Sequence, residues 1–370
     1  MTVDERADVR GGQSGERQRP FRPSPAGWVA RAVVLAGVAW LVLVFPLSRP
    51  ATELVDFTTA VCYAIVALSL NVLVGYVGQI SLGHQAFVGI GAFTSAYLMT
   101  VHGHSFWVGV VGAAAVGGAQ ALVLGGVSLR VRGLYFALVT LSYGLVAEQN
   151  IFQIQELAGG GAGRPAPKPD WFDTEWRYYF LCLAFLALVL YVDWRLMRSK
   201  SGRALLAVRE NARVAATLGI DVRLATLFAF VLSGTFAGLA GALIASNDTF
   251  VSPNVWNFNL ALVFVIMTVV GGLRSRTGLV IGGALFALLP YLIEQIPGLD
   301  DLLADIPAPR DLTPELAPLV LGPLLLLLNL TVFPGGIGQQ LRPFVRWLGG
   351  RRFDPRDRGL KEVPISDARA

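Results

Sequence analysis

Long apolar runs alternate with short polar joints along most of this chain. Runs of roughly 20 apolar residues each suffice to cross about 30 Å of hydrocarbon as a helix. Ten such spans are predicted, at about 27–47, 57–77, 80–101, 106–129, 133–152, 177–194, 224–246, 258–273, 278–297 and 316–333. The pattern predicts an all-α, polytopic integral membrane protein. A β-barrel would instead show short alternating segments. Residues 1–26 are polar, rich in Arg, Gly and Pro, and lack an apolar period; they read as a disordered tail. Asp4, Glu5, Asp8 and Glu16 argue against a signal peptide there.

Composition agrees with this class. Hydrophobic residues make up 54% and charged residues 15% of the 370 positions, against about 25% charged in a soluble domain. The net charge of +5 points to basic inner loops rather than to nucleic acid. With the amino terminus inside and ten alternating spans, all but five of the 30 Lys and Arg fall inside; the exceptions are Arg49, Arg164, Lys168, Arg177 and Arg310. That split fits the positive-inside rule and places both termini in the cytoplasm. Cys62 and Cys182 fall within apolar runs and read as small buried hydrophobes.

One apolar region is written unusually. Residues 75–97 read GYVGQISLGHQAFVGIGAFTSAY. Gly91 with Ser95, and Ala92 with Ala96, fit small-residue helix packing. Gln79, Ser81 and His84, flanked by Gly78 and Gly83, instead predict a broken helix near 75–90. Broken helices at membrane depth need protein or a hydrated cavity around them, and transporters commonly bind solutes there. A translocation path is favoured over tight packing alone, and Asn71, about two turns earlier, extends the same polar region. His84 has no carboxylate or cysteine partner nearby, so a hydrogen bond that fixes the break is its expected role.

Residues 195–223 form the largest inner loop, with Leu205, Val208, Ala212 and Ala215 at helical spacing. Gly202 precedes this helix and Gly219 closes it. Two readings stand: an amphipathic helix on anionic lipid, or a docking helix for a cytoplasmic partner. The outer segment 153–176, rich in Gly and Pro, is expected to be irregular, and 298–313 to be an acidic connection. His102 and His104 read as loop residues. The chain carries no G-x-x-x-x-G-K-[ST], G-x-S-x-G or H-E-x-x-H motif, so neither ATP hydrolysis nor a familiar hydrolase chemistry is written on it. Glu148, Asp193 and Glu294 lie near span ends, which disfavours an ion-coupled carrier. A path without an energy source on the chain implies a borrowed one.

Five stretches, in order, resemble one family. LSLNVLVGYVGQISLGHQAFVGIGAF at 68–93 resembles the signature of branched-chain amino acid ABC importer permeases, closer to the M-type than to the H-type subunit. RVRGLYFALVTLSYG at 130–144, the segment 201–243, VVGGLRSRTGLVIGGAL at 269–285 and FPGGIGQQL at 333–341 are similar to later blocks. Arg274 and Leu279 depart from the pattern, standing where it has Gly and Pro.

The resemblance implies a permease domain over 27–340, flanked by the 1–26 tail and a basic cytoplasmic tail at 341–370. It implies a substrate path through Asn71, Gly78, Gln79, Ser81, Gly83 and His84. It makes 195–223 an ATPase-coupling loop, with Arg203, Arg209, Glu210, Asn211 and Gly219 matching the motif. It further implies alternating access in a bacterial plasma (inner) membrane, driven by two ABC ATPase subunits that hold the ATP and Mg. An H-type permease and an extracytoplasmic solute-binding protein complete the unit. No cofactor is expected on this chain. Rival readings are a sister permease for urea or short amides, an ATP-independent secondary carrier, and a membrane-embedded enzyme. GYVGQISLGH and GGLRSRTGLVIGG share only spaced glycines, a faint trace of inverted repeats.

Overall fold

The structure is a computed structural model that describes residues 25–128, 133–294, 322–323, 326–327 and 335–348. The helices are α1 Pro25–Leu43, α2 Ala51–Asn71, α3 His84–Thr100, α4 Phe106–Ser128, α5 Leu134–Gln149, α6 Gln155–Ala158, α7 Glu175–Arg198, α8 Lys200–Glu210, α9 Ala212–Thr217, α10 Val222–Asn247, α11 Phe258–Gly271, α12 Arg276–Glu294 and α13 Gly336–Leu348. The protein is an all-α membrane protein. Among the described residues, four stretches are long and apolar enough to cross a membrane: Ala51–Val77, Phe106–Gly126, Glu175–Arg198 and Val222–Asn247. Shorter apolar helices occupy Trp28–Leu43, Phe258–Gly271 and Arg276–Leu292. Nine of the ten expected spans coincide with helices. The tenth, 316–333, lies largely outside the described residues, as do the acidic connection at 298–313, most of both tails and residues 130–132.

The chain divides into two compact units, Val44–Leu341 and a smaller one made of Met1–Leu43 with Arg342–Ala370. In the smaller unit, the Arg31 guanidinium of α1 lies over the rings of Trp28 and Trp347, 5.8 and 5.4 Å from their centroids.

In the larger unit α2 is almost wholly enclosed and packs against α7, α10, α11 and α12. The other main layer is α3 and α4 against α10. Close approach there depends on small residues. A Cβ on Gly91 of α3 would lie 2.5 Å from the backbone of Gly238 on α10, and one on Gly117 of α4 would lie 3.0 Å from the same Gly238. Polar caps fix the helix starts. Asp221 Oδ1 accepts from the Arg223 and Leu224 amides at α10, and Asn257 Oδ1 accepts from Leu260 at α11.

The segment between α5 and α7 is mostly irregular, as its Gly and Pro content predicts, yet it is pinned. Arg164–Pro165 (β1) pairs antiparallel with Phe250–Val251 (β2), and Arg164 Nε donates to the Leu157 carbonyl at 2.7 Å. At this end of the bundle, a cavity of about 360 Å³ is lined by Glu148, Gln149, Gln153, Pro253, Asn254 and Asn257.

Candidate functional site

The polar stretch does interrupt the helix. α2 passes into a π-helical turn, Val72–Val77, and ends at Gly78, whose φ of +78° is left-handed. Such a backbone costs glycine nothing. Residues 78–83 are non-helical, and α3 begins at His84 with Gly83 as its cap. Single π turns inside α-helices recur at functional sites. The break is held from α5: the Leu82 amide donates to Thr140 Oγ1 at 3.0 Å. A methyl on Gly83 would run into the Thr140 carbonyl, so this close approach requires glycine.

His84 is fully buried and joins α3 to α2 and α10. Ser69 Oγ donates to the Ser233 carbonyl at 2.7 Å, and Ser233 Oγ donates to the Ser69 carbonyl at 2.8 Å. With its own proton so used, Ser69 Oγ accepts from His84 Nε2 at 2.8 Å. His84 is therefore protonated on Nε2, and Nδ1 is left bare. Around the break, Gln79 Oε1, Ser81 Oγ, His84 Nδ1 and both amide atoms of Gln85 are buried without a hydrogen-bond partner among the described residues. Buried polar atoms are ordinarily paired; this group is concentrated within a few residues of the break.

The loop at 195–223 departs from expectation in two respects. Its stripe does not lie on one helix. The chain breaks at Asn211 into α8 and α9, because the Asn211 side chain turns back to cap α9, accepting from the Arg213 and Val214 amides at 3.0 and 3.2 Å. Gly202 lies inside α8, not ahead of it; Ser199 is the cap. Leu205, Val208 and Ala215 are buried as the stripe implies, and Gly219 closes α9 at φ +81°. Among the described residues, the Arg203 side chain donates only to the Arg198 carbonyl, at 3.3 Å. α8 packs against α7, α10 and the π turn of α2. Val214 and Leu218, apolar residues not singled out by the sequence pattern, are 52% and 73% exposed.

The two sets of residues read separately in the sequence meet at one end of the bundle. Arg209 Nη1 donates to the Gly75 carbonyl. Arg274, in the turn between α11 and α12, donates to the same carbonyl through Nε at 3.1 Å. Its backbone amide donates to Asn71 Oδ1 at 2.9 Å, and Nη2 donates to Glu210 Oε1 at 3.3 Å. Gly75 is needed here because a methyl would occupy the place of Asn71 Oδ1. Arg209 is pushed below its ordinary pKa, first by burial and then by the Arg274 charge, with Glu210 opposing. Arg274 itself sits at φ +66°, which costs a side-chain-bearing residue about 1–2 kcal/mol. The Arg274–Glu210 pair is exposed and is worth about 0–1 kcal/mol.

Next to it lies a buried pair. Asp193 of α7 is wholly buried; it accepts from Tyr76 Oη at 2.9 and 3.1 Å and from Arg276 Nε. Arg276 Nη2 also donates to the Asp193 carbonyl at 3.3 Å. Sequence reasoning missed Thr140, Ser69, Ser233, Tyr76 and Arg276, and treated Arg274 only as a departure. The two glycine-rich stretches compared for inverted symmetry are in direct contact here.

A family model described as branched-chain amino acid transport system / permease component matches residues 56–328. The chain belongs to this family. Within it, the high-affinity branched-chain amino acid transport system permease protein LivM of Escherichia coli (strain K12) is 33% identical over 291 residues, covering 71% of this chain and 67% of that protein. LivH of the same strain is 25% identical over 259 residues, or 62% of this chain and 81% of LivH. The autoinducer 2 import system permease protein LsrC of Enterobacter sp. (strain 638) is 35% identical over 185 residues, half of each chain. No solved structure matches the chain. The match contains the break, the loop with α8 and α9, and the turn that carries Arg274 and Arg276. It identifies the protein as an ABC permease component whose own role is transport.

Proposed function

We propose that this chain passes branched-chain amino acids inward across a bacterial inner membrane, as one permease of an ATP-driven importer. Both termini and the α8–α9 loop face the cytoplasm. The path runs by Asn71, Gly78, Gln79, Ser81, Gly83 and His84, and the cavity near Glu148 opens toward the solute-binding protein. Two ATPase subunits, holding ATP and Mg, dock on α8 and α9 through Arg203, Arg209, Glu210, Asn211 and Gly219. A second, H-type permease completes the membrane part, within the surrounding lipid. The permease domain spans 27–340, with the tails 1–26 and 341–370 in the cytoplasm.

One contact carries the reading: Arg209 of α8 holds the Gly75 carbonyl inside the π turn that opens the break. A helix that only rested on lipid would not need to reach the interrupted end of α2. The apolar Val214 and Leu218 left exposed on this loop suit a groove on a docking partner. The bared polar atoms around the break suit a path that a polar solute visits in another conformation. Nucleotide binding then shifts the population between two access states by favouring one of them.

The test is gentle extraction of the tagged chain from its native membrane, identification of what accompanies it, and reconstitution in liposomes. Co-purification of an ATPase pair and ATP-dependent leucine uptake are expected. Uptake confined to urea or short amides would change the cargo. A chain that purifies alone and transports without ATP would overturn the importer reading and return 195–223 to the lipid surface.

A further inference from the structure

We propose that Arg274 is a second coupling residue, a releasable bracket between the docking helix α8 and the broken end of α2. The proposal rests on the reading of α8 as the docking element. It begins from a strained backbone. Among the described residues only Thr249 and Arg274 hold positive φ without being glycine. Glycine would be unstrained at +66°, and an arginine persists in such a place only when its surroundings hold it.

The surroundings are three attachments in three directions. The Arg274 amide is tied to Asn71, its Nε to the Gly75 carbonyl, and its Nη2 to Glu210. One residue thus joins the last residue of α2, the π turn and the last residue of α8. Asn71 and the π turn are contiguous, whereas α8 is remote from them in sequence; Arg209 also crosses from α8 to the π turn, and Arg274 ties the same elements from the α11–α12 turn.

Charge makes the bracket releasable. Arg209 and Arg274 share one carbonyl acceptor, and their like charges oppose each other. Glu210 is the anion beside them. It is 73% exposed, and Arg274 is 41% exposed, so a cation on a docked partner has access to the carboxylate. Once Glu210 is drawn away, two guanidiniums face each other over a single oxygen, and the Gly75 carbonyl loses a donor. The restraint on the π turn then loosens at the residues where the helix is already broken. Two residues on, Arg276 provides the contrast: its partner Asp193 has no exposure, so that pair is an anchor that a partner does not reach. The α11–α12 turn carries one fixed tie and one that opens.

Arg274→Gly is the informative variant, because glycine fits the backbone. Its melting temperature should stay level or rise. In the purified full chain, amide hydrogen exchange across 72–83 should quicken while that of 54–68 is unchanged. In the reconstituted transporter with its co-purified ATPases and binding protein, leucine moved per ATP hydrolysed should fall at least about 5-fold, the lower bound of common coupling factors. Glu210→Gln should lower the ratio similarly, and the double variant should add little further loss. Arg274→Lys, which keeps the charge but not the fork, should recover part of it.

An unchanged exchange rate at 72–83 overturns the bracket, whatever energy drives transport. Faster exchange with an unchanged transport ratio overturns its role in coupling. Wild-type uptake indifferent to ATP overturns the importer reading instead, and with it the coupling role; the exchange result then stands as the test of the bracket alone.

Discussion

Asp193 shows how a single residue binds distant parts of this protein together. Its carboxylate is fully buried and is satisfied by Tyr76 from the π turn and Arg276 from α12. Removing one partner of a buried pair costs about 3–5 kcal/mol; because Arg276 is 32% exposed, the lower figure applies. Arg276→Ala should therefore lower the melting temperature of the detergent-purified chain. Asp193→Asn introduced into that variant should restore most of the loss, because the uncompensated charge goes with it. An equal loss in both variants would show that the pair is not the source. The sequence placed Asp193 near a span end but held no sign of its partner, since the two residues are 83 apart and no local period links them. His84 was more legible, because a histidine in an apolar run with no carboxylate or cysteine nearby has few uses other than a hydrogen bond.

At the scale of elements, the break in α2–α3 was readable because glycines and polar side chains contradict the apolar run around them. The break between α8 and α9 was not. Leu205, Val208, Ala212 and Ala215 keep helical spacing straight through Asn211, so periodicity alone predicts one helix. The competing signal was chemical, since asparagine prefers to cap a helix from outside rather than sit within it. Asn211→Ala should remove about 1 kcal/mol from α9, seen as faster amide exchange at 212–217 with α10 unaffected. Unchanged exchange there would mean that packing, not the cap, holds the short helix. Arg274 taught a similar lesson. Its departure from the family pattern was visible, while its role depends on a left-handed backbone that sequence does not display.

For the whole molecule, the apolar spacing and the basic loops gave the class and the order of helices, and the helices found at nine of the ten expected places agree with them. The way up was read from charge alone. It is tested by thiol labelling against a low background, because Cys62 and Cys182 are both buried. Trp171→Cys, in the segment after α5, should react with a membrane-impermeant maleimide on intact cells. Arg203→Cys, on α8, should react only after permeabilisation. The reverse pattern would invert the topology and remove the docking assignment.

The carbonyl of Gly75 has a consequence for genetics. Two arginines depend on it, from positions 134 and 199 residues away, yet it belongs to the backbone, and every amino acid supplies the same oxygen. No codon change at position 75 deletes the acceptor. Mutations there act by adding bulk against Asn71, while the bonds themselves are open to mutation only through their donors. In a search for defective alleles, lesions that weaken this junction will map to 209 and 274, and the residue at its centre will yield only those that crowd it.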